Sequence, residues 1–316
     1  MQEWLFAGLG LVILLLAGDA LVKGAVNLSL RVGIPALIVS LTVVAFGTSA
    51  PELLISVSAV LDDAPGIAIG NVVGSNTANV LLVLGFPALF AVMHTSECET
   101  RKNYLYMLVG SLLFIALCFA GPLTWWHGLI LLAALSFVLG NAALDARAHR
   151  NGVAAAEVAD EIEGVDPDMP WRSILFYLAL GLAGLPIGAD MLVESSVVIA
   201  RTFGVSETVI GLTLVAIGTS LPELATTVMA ALRRQADVAL GNVIGSNMFN
   251  LLAIIGIASL VGPIPVDREI LHFDLWVMLA ASLALIPFVF LRQDITRVWG
   301  IVFSGLYITY LVVVIL

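Results

Sequence analysis

Long apolar stretches, separated by short polar segments, run along the whole chain. Ten of them approach or exceed the length of about twenty residues that a helix needs to cross the hydrocarbon core of a bilayer. They lie roughly at residues 4–30, 34–60, 66–92, 104–121, 125–145, 172–200, 206–232, 237–262, 272–291 and 297–316. The pattern therefore predicts an all-α membrane protein with ten transmembrane helices.

The second part of the chain repeats the first at a constant offset of 171 residues, without a gap. Glu52 matches Glu223, for example, and Asn79 matches Asn250. The repeat divides the chain into residues 1–145, a linker at 146–171, and residues 172–316. Each part beside the linker has five spans, an odd number, so the second must enter the membrane from the opposite side. The sequence thus predicts two inverted five-helix repeats, a transporter architecture with substrate binding near the midplane.

The composition excludes a soluble globular domain and a nucleic-acid-binding protein. Hydrophobic residues make up 60% of the chain and charged residues only 11%, whereas charged residues make up about a quarter of soluble domains. The formal net charge is −10, and there is no basic patch for nucleic acid. Much of this charge lies in the linker, at Glu157, Asp160, Glu161, Glu163, Asp166 and Asp168. We interpret the linker as a solvated, flexible tether. A weak Ca²⁺ sensor is the alternative, but the linker has no EF-hand pattern.

Lysine and arginine are distributed unevenly between the two predicted faces, which indicates the orientation. If the amino terminus is outside, the outer side holds only Arg201 and Arg268. The cytoplasmic ends and loops hold Lys23, Arg31, Arg101, Lys102, Arg147, Arg150, Arg172, Arg233, Arg234, Arg292 and Arg297. We therefore expect both termini outside and the acidic linker in the cytoplasm.

The motif GTSxPE occurs twice inside apolar stretches, ending at Glu52 and at Glu223. An ionisable side chain at membrane depth is costly and indicates a functional site. Two such carboxylates, related by an internal repeat, indicate one site at the repeat interface.

The proline of the motif is expected to break the helix. Pro51 lacks an N–H and clashes with the preceding turn. The break should make backbone carbonyls near Ala45, Thr48 and Ser49 available as ligands. Carbonyl and carboxylate oxygens together suit hard cations such as Ca²⁺ and Na⁺.

A second element, GNxxGSN, follows each motif and ends three residues before Asn79 and Asn250. On a helix, residues four apart share one face, so two polar stripes are predicted. The stripes are Asn71, Ser75 and Asn79 in the first half and Asn242, Ser246 and Asn250 in the second. These side chains could simply join helices together. Beside two buried carboxylates, we interpret them as walls of a cation site.

The two blocks, at about 34–92 and 206–262, resemble the α-repeats of the cation/calcium exchanger superfamily, specifically prokaryotic Na⁺/Ca²⁺ exchangers. The repeat and the span count extend this resemblance over the whole chain. It implies a bundle of ten helices with broken central helices, in which Glu52 and Glu223 bind both Ca²⁺ and Na⁺. It also implies further ligands at Thr48, Ser49, Ser75, Asn79, Thr219, Ser220, Ser246 and Asn250, and backbone carbonyls at Ala45 and Ala216.

The resemblance also implies a mechanism and a location. The first and sixth helices of the family slide across the core to switch access, and the expected location is the inner (plasma) membrane. Related proton-coupled and potassium-dependent exchangers have acids where this chain has Asn79 or Asn250, which disfavours those couplings here. The two carboxylates have a formal charge of −2, which one Ca²⁺ neutralises and three Na⁺ would convert to +1.

Our prediction is a secondary antiporter, not an enzyme, that exchanges Na⁺ for Ca²⁺ by alternating access. We expect no cofactor besides the transported ions, and no obligate protein partner; membrane lipid surrounds the protein. The alternative of the same fold is a Ca²⁺/H⁺ or other divalent-cation antiporter. A remote alternative is an intramembrane hydrolase using Ser49 or Ser220, but the predicted membrane core contains no histidine to act as a base.

Two further acids are counterparts in the presumed sliding helices. Asp19 and Lys23 are four residues apart and are expected to pair. Asp190 faces Glu194 at the same spacing, which is a like-charge arrangement. A structural or hinge role is the favoured interpretation of both aspartates, and a role in ion access is the alternative.

Overall fold

A computed structural model describes residues 2–152, 166, 168–203 and 216–315. Within these residues the chain is helical, apart from loops and two isolated β-bridges. The helices are α1 Gln2–Val32, α2 Ala36–Thr48, α3 Ala50–Leu61, α4 Pro65–Ala88, α5 Arg101–Phe119, α6 Trp125–Gly152, α7 Trp171–Thr202, α8 Ala216–Gly218, α9 Leu221–Leu232, α10 Ala236–Val261, α11 Ile270–Phe290 and α12 Arg297–Ile315. We call the face where α6 ends and α7 begins the linker face, and the other the opposite face.

The prediction of an all-α membrane protein is confirmed. Among the described residues, 8 helices are long and apolar enough to cross a membrane, and the bent pair of α2 and α3 makes up to 9. The predicted span 206–232 begins outside the described residues, which include only its later part, with α8 and α9. The count of ten therefore stays a prediction. Helix α6 continues to Gly152, beyond the predicted start of the linker, and positions 153–165 and 167 lie outside the described residues.

The first motif breaks its span at Ser49. Helices α2 and α3 meet at 43°, and Ser49 has φ −86° and ψ 7°, in the bridge region of backbone space. Its counterpart Ser220 has φ −89° and ψ 5° directly before α9. The prediction placed the break at Pro51, whereas it lies two residues earlier, because proline fits the first turn of a helix and clashes with the turn before it.

Helices α4 and α10, which are counterparts in the repeat, form the centre of the bundle. Their apolar windows are 72% and 89% buried, whereas those of α6 and α12 are both 17% buried. Each central helix contains a π-helical stretch, Asn79–Val83 in α4 and Phe249–Ile254 in α10. Such wide turns are frequent at functional sites. The bundle therefore places polar central helices inside and exposes apolar outer helices to lipid.

Unusual backbone conformations recur at the repeat offset. Asp63 and Arg234 both have φ 57°, and Arg292, with φ 52°, corresponds to Gly121, with φ 125°. Left-handed conformations are uncommon for residues other than glycine. Their recurrence in both halves supports a common fold for residues 1–145 and 172–316.

The two β-bridges are consistent with the predicted inversion of the halves. Met93 pairs with Ile295, and Leu123 pairs with Ile264. Met93 precedes α5 and Leu123 follows it, so the two bridges lie on opposite faces of the bundle. Ile264 is the counterpart of Met93, yet it lies with Leu123 on the other face. Equivalent residues on opposite faces are what an inverted repeat requires.

Helices α1 and α7 pack tightly against each other through glycines. A Cβ on Gly10 would lie 2.7 Å from the backbone nitrogen of Leu192, and a Cβ on Gly181 would lie 2.5 Å from the Cβ of Leu21. Gly10 and Gly181 are themselves counterparts in the repeat. Small residues let helix backbones approach closely in a membrane, so these two long helices form one packed pair.

The close contact gives a prediction for stability. Gly181→Ala is expected to destabilise the protein by about 1–3 kcal/mol, because the added methyl group overpacks the α1–α7 contact. The control is Gly8→Ala on α1, since a Cβ there has no neighbour within 4 Å among the described residues. Thermal unfolding in detergent measures both. Equal midpoints for the two variants would contradict the close packing.

Candidate cation site

The two motif glutamates lie at equivalent helix starts. Glu52 is in the first turn of α3 and Glu223 is in the first turn of α9. Their exposed fractions are 1% and 0%. Each follows a helix break, so the carboxylates project from the same point of their respective halves into the interior.

The halves contact each other directly through the second glutamate. Ser49 Oγ, from the first half, donates a hydrogen bond to Glu223 Oε1 at 3.0 Å. Ser246 Oγ donates to the same oxygen at 3.4 Å. The first motif is therefore held against the carboxylate of the second motif.

Thr48 lies in the same polar group. Its hydroxyl is 3.3 Å from Asn242 Oδ1, 3.5 Å from Ser246 Oγ and 3.3 Å from the carbonyl oxygen of Ala45. The Ala45 carbonyl also accepts a hydrogen bond from Ser49 N–H at 3.0 Å. The predicted release of this carbonyl is thus not seen in this conformation, because the helix continues through Thr48.

The carbonyl of Gly47 is a better candidate for a free backbone ligand than that of Ala45. Pro51 has no N–H, and its helical acceptor would have been the carbonyl of Gly47, four residues earlier. The same holds for Pro222 and Gly218 in the second half. The sequence contained this signal, but our prediction named carbonyls near Ala45, Thr48 and Ser49 and did not name that of Gly47. Ala216 is described only as the first residue of α8, and its side chain lies outside the described residues.

The asparagines divide into two groups with different roles. Asn71 Nδ2 donates to the Glu52 carbonyl at 3.4 Å and to Ser56 Oγ at 3.1 Å. Asn242 Nδ2 bonds the Glu223 carbonyl at 3.3 Å and Thr227 Oγ1 at 3.2 Å in the same way. These two asparagines therefore anchor the helix starts through their amide groups.

The central asparagines join the two halves. Asn250 Nδ2 donates to Ser75 Oγ at 3.0 Å, and Asn79 Nδ2 donates to Asn247 Oδ1 at 3.1 Å. Asn76 and Asn247 each donate to the other's backbone carbonyl at 3.4 Å. This reciprocal pair was not among our predicted site residues, although both members belong to the GNxxGSN element.

Several buried oxygen atoms in this region have no hydrogen-bond partner among the described residues. They are both carboxylate oxygens of Glu52, Oε2 of Glu223, Oδ1 of Asn76, Oδ1 of Asn79, Oδ1 of Asn250 and Oγ of Ser220. Unpartnered buried acceptors are costly, and carboxylate, amide and hydroxyl oxygens are ligands of Ca²⁺. No group of three or more His, Cys, Asp or Glu side chains within the described part of the chain could hold a metal ion. A cation here would need neutral oxygens besides the two carboxylates.

A cavity reaches this region from the opposite face. Its volume is about 440 Å³, and Asn71, Ser75 and Thr219 line its inner part. Ile67, in the first turn of α4, and Ile270, where α11 begins, line its outer part. Both helices begin at the opposite face, so the polar centre is accessible from there.

Helix α1 covers the linker side of the centre. A Cβ on Gly18 would lie 3.0 Å from backbone atoms of Ala225 in α9. Asp19 Oδ1 forms an ion pair with Arg233 Nε at 2.5 Å, just beyond the end of α9. The predicted pairing of Asp19 with Lys23 is wrong, because Lys23 Nζ donates to Tyr177 Oη at 3.2 Å instead.

The fold and the buried oxygens define a membrane protein of the cation-transporter class. The profile of the family described as "Sodium/calcium exchanger protein" matches residues 3–142 and 173–316. The chain therefore belongs to the sodium/calcium exchanger family.

The chain is similar to individual members of this family over most or nearly all of its length. The chain is 35% identical to the sodium/calcium exchanger MaX1 of Methanosarcina acetivorans, covering 96% of each protein. It is 34% identical to the inner membrane protein YrbG of Escherichia coli, over 87% of this chain and 84% of that one. A solved structure of the sodium-calcium exchanger NCX_Mj matches with a TM-score of 0.81 and 32% identity, over 99% of this chain and 98% of that one.

Proposed function

We propose that this protein exchanges Na⁺ for Ca²⁺ across a membrane, with both ions using the site at Glu52 and Glu223 in turn. The observation that supports this most is the set of unpartnered oxygens from both halves around the two carboxylates. Membership of the family and the names of its relatives support the choice of ions. The remaining ligands are the predicted hydroxyl and amide side chains at Thr48, Ser49, Ser75, Asn79, Thr219, Ser220, Ser246 and Asn250, with a carbonyl from Gly47 or Ala45 and one from Gly218 or Ala216.

Access alternates, in this proposal, by movement of the α1–α7 pair. The structure has the cavity on the opposite face and the α1–α9 contact on the linker face. Because the halves are inverted counterparts, sliding of the α1–α7 pair would close the opposite face and open the linker face. Bound ions neutralise Glu52 and Glu223, which lets the helices pass over a less polar core. The unloaded, doubly charged site opposes this movement.

The orientation belongs to the same proposal. The linker face has the excess of lysine and arginine, so the cavity faces the outside and both termini lie outside. The name of the related Escherichia coli protein supports an inner-membrane location. The transported ions are the ligands of this site, and no separate cofactor is needed.

The test is uptake of radioactive ⁴⁵Ca²⁺ into vesicles loaded with Na⁺. We expect uptake only with an outward Na⁺ gradient, and none in K⁺-loaded vesicles or after a pH jump. Uptake driven by a proton gradient would keep the site and change the coupling ion. Uptake indifferent to every counter-ion gradient would overturn the exchanger.

The ion pair on α1 gives a second test of alternating access. Arg233→Gln is expected to shift the protein toward the state open at the linker face by roughly fivefold, since it removes a partly buried ion pair of about 1 kcal/mol. The counterparts of Asp19 and Arg233 are Asp190 and Asp62, which are both exposed and equally charged, so they offer no compensating pair. Labelling of a cysteine introduced at Ala225 by an impermeant maleimide, in a background lacking Cys98 and Cys118, measures the shift.

The control is the exchanged pair Asp19→Arg with Arg233→Asp. It restores opposite charges at the same place, so its labelling rate should return toward that of the parent protein. Labelling of Arg233→Gln at the parent rate would show that the ion pair does not hold α1 in place.

A further inference from the structure

The cavity on the opposite face contains a carboxylate outside the central site. Asp274 lies at the end of the π-helical stretch Ile270–Asp274 in α11 and lines the cavity. Asn71, Ser75 and Thr219 line the same cavity at the central site. Asp274 is the one charged side chain among the described lining residues. An ion that enters from this face therefore passes this carboxylate before it reaches the glutamates.

Neighbouring aromatic residues orient the Asp274 side chain. Tyr310 Oη donates a hydrogen bond to Asp274 Oδ1 at 2.9 Å. The ring of Tyr310 stacks on Phe273 with 6.3 Å between centroids and 19° between planes. The tyrosine thus fixes the carboxylate through one oxygen and leaves Oδ2 without a side-chain donor among the described hydrogen bonds.

Asp274 has no basic partner within the described part of the chain. None of the ion pairs found among the described residues includes it. Most of the other lining residues are apolar, such as Ile55 and Ile67. A charge in a low-dielectric cleft focuses the field and raises the local concentration of counter-ions. An unpaired carboxylate in such a cleft attracts cations and repels anions.

The internal repeat shows that this carboxylate is not part of the shared architecture. The counterpart of Asp274 is Asn103, and the counterpart of Tyr310 is Leu139. The central glutamates, by contrast, occur in both halves. The acid and the tyrosine that orients it are therefore a feature of one route to the site.

We propose that Asp274, oriented by Tyr310, binds incoming cations in this cavity before they reach Glu52 and Glu223. This inference rests on the proposed function, because it treats the cavity as the route of the transported ions. The ligand is a hydrated cation, and a divalent ion is attracted more strongly than a monovalent one. Asp274 thereby favours the capture of cations from the opposite face and contributes little to the later steps of transport.

Transport kinetics test the proposal. In vesicles with the cavity side facing the bath, Asp274→Asn should raise the Ca²⁺ concentration for half-maximal uptake by about threefold to tenfold, with the maximal rate within about twofold of the parent rate. Asp274→Glu should restore most of the affinity. In vesicles of the other polarity, the half-maximal concentration should stay unchanged.

The matched control is Glu269→Gln. Glu269 is an exposed acid directly before α11, and it does not line the cavity. Its replacement removes the same charge from the same face. An equal change in both variants would assign the effect to general surface charge and overturn the inference. A loss of maximal rate alone in Asp274→Asn would also overturn it, because that is the signature of a structural role.

Direct binding separates this inference from the proposed function. Tb³⁺ occupies Ca²⁺ sites and emits when a nearby tyrosine is excited, and both Tyr307 and Tyr310 line the cavity. In a Glu52→Gln, Glu223→Gln background, Tb³⁺ emission should persist, and adding Asp274→Asn should remove most of it. Unchanged emission would overturn the proposal. If the parent protein shows no Na⁺-driven uptake, the exchanger fails, and this measurement still decides whether Asp274 binds cations.

Discussion

Glu223→Gln is expected to abolish Na⁺-driven Ca²⁺ uptake, and Glu52→Gln is expected to do the same. Each change removes one of the two charges that a bound Ca²⁺ neutralises. Loss of one partner of a buried charge pair costs roughly 3–5 kcal/mol, which corresponds to a loss of about 100-fold or more in Ca²⁺ affinity. In Glu223→Gln, the amide nitrogen would also compete for the place of the oxygen that accepts hydrogen bonds from Ser49 and Ser246. Initial rates of ⁴⁵Ca²⁺ uptake measure the effect.

A stability measurement separates loss of the site from loss of the fold. Without ions, the Gln variants should unfold at the same temperature as the parent protein or higher, because a buried carboxylate with unpartnered oxygens is replaced by a neutral amide. Added Ca²⁺ should stabilise the parent protein and not the variants. Glu97→Gln, at an exposed position in the 3-10 turn between α4 and α5, is the matched control and should retain transport. Parent-level uptake by either site variant would refute the assignment of the two glutamates.

Local signals in the sequence were enough to predict most of the architecture. The apolar stretches give the spans, because a helix that crosses a bilayer satisfies its own backbone and needs only length and hydrophobicity. The proline at position 51 gives the broken helix. The constant offset and the odd number of spans in each half predict the inversion, and the positions of the two β-bridges are consistent with it.

The exact partners of the polar side chains could not be predicted in the same way. Asn71 and Ser75 share a stripe in the sequence, but Asn71 bonds the Glu52 backbone within its own half, whereas Ser75 accepts from Asn250 in the other. The partner that each side chain takes depends on the width of the π-helical stretches and on how the halves dock. Neither property has a local signal in the sequence. Asp19 likewise pairs with Arg233 across the bundle, although Lys23 is nearer in sequence.

The internal repeat also does not predict the difference between the two faces of the bundle. A sequence with two similar halves is compatible with a site open to either side. In this structure, the cavity that reaches Asn71, Ser75 and Thr219 lies on the opposite face, whereas a second cavity of about 430 Å³, near the linker-face ends of α4 and α9, is lined by apolar residues. The symmetry between the two halves is broken by differences at single positions. Arg233 has Asp62 as its counterpart, and Asp274 has Asn103. Such substitutions leave the fold unchanged and alter the balance between its two states by small free energies.

We expect the charge of the site to make the exchange sensitive to voltage. Because Asn79 and Asn250 are neutral, the two glutamates give a formal charge of −2, and one Ca²⁺ brings it to zero. Three Na⁺ would bring it to +1, so a full cycle would move one net charge. One charge is worth about 2.3 kcal/mol per 100 mV, which is a factor of about 50 in an equilibrium ratio. A 100 mV inside-positive potential should therefore raise the final accumulation of Ca²⁺ in Na⁺-loaded vesicles about 50-fold.

Vesicles clamped with valinomycin and a K⁺ gradient give this measurement. The final Ca²⁺ ratio is an equilibrium quantity, so it does not depend on how the protein is oriented in the vesicle. Vesicles with valinomycin and equal K⁺ on both sides are the control for the ionophore, and vesicles with Glu223→Gln protein are the control for leak. A ratio that is independent of the potential would mean two Na⁺ per Ca²⁺, and the two loaded forms of the site would then both be neutral. A fifty-fold change would instead show that the sodium-loaded site has one positive charge more than the calcium-loaded site, as three Na⁺ on two carboxylates require.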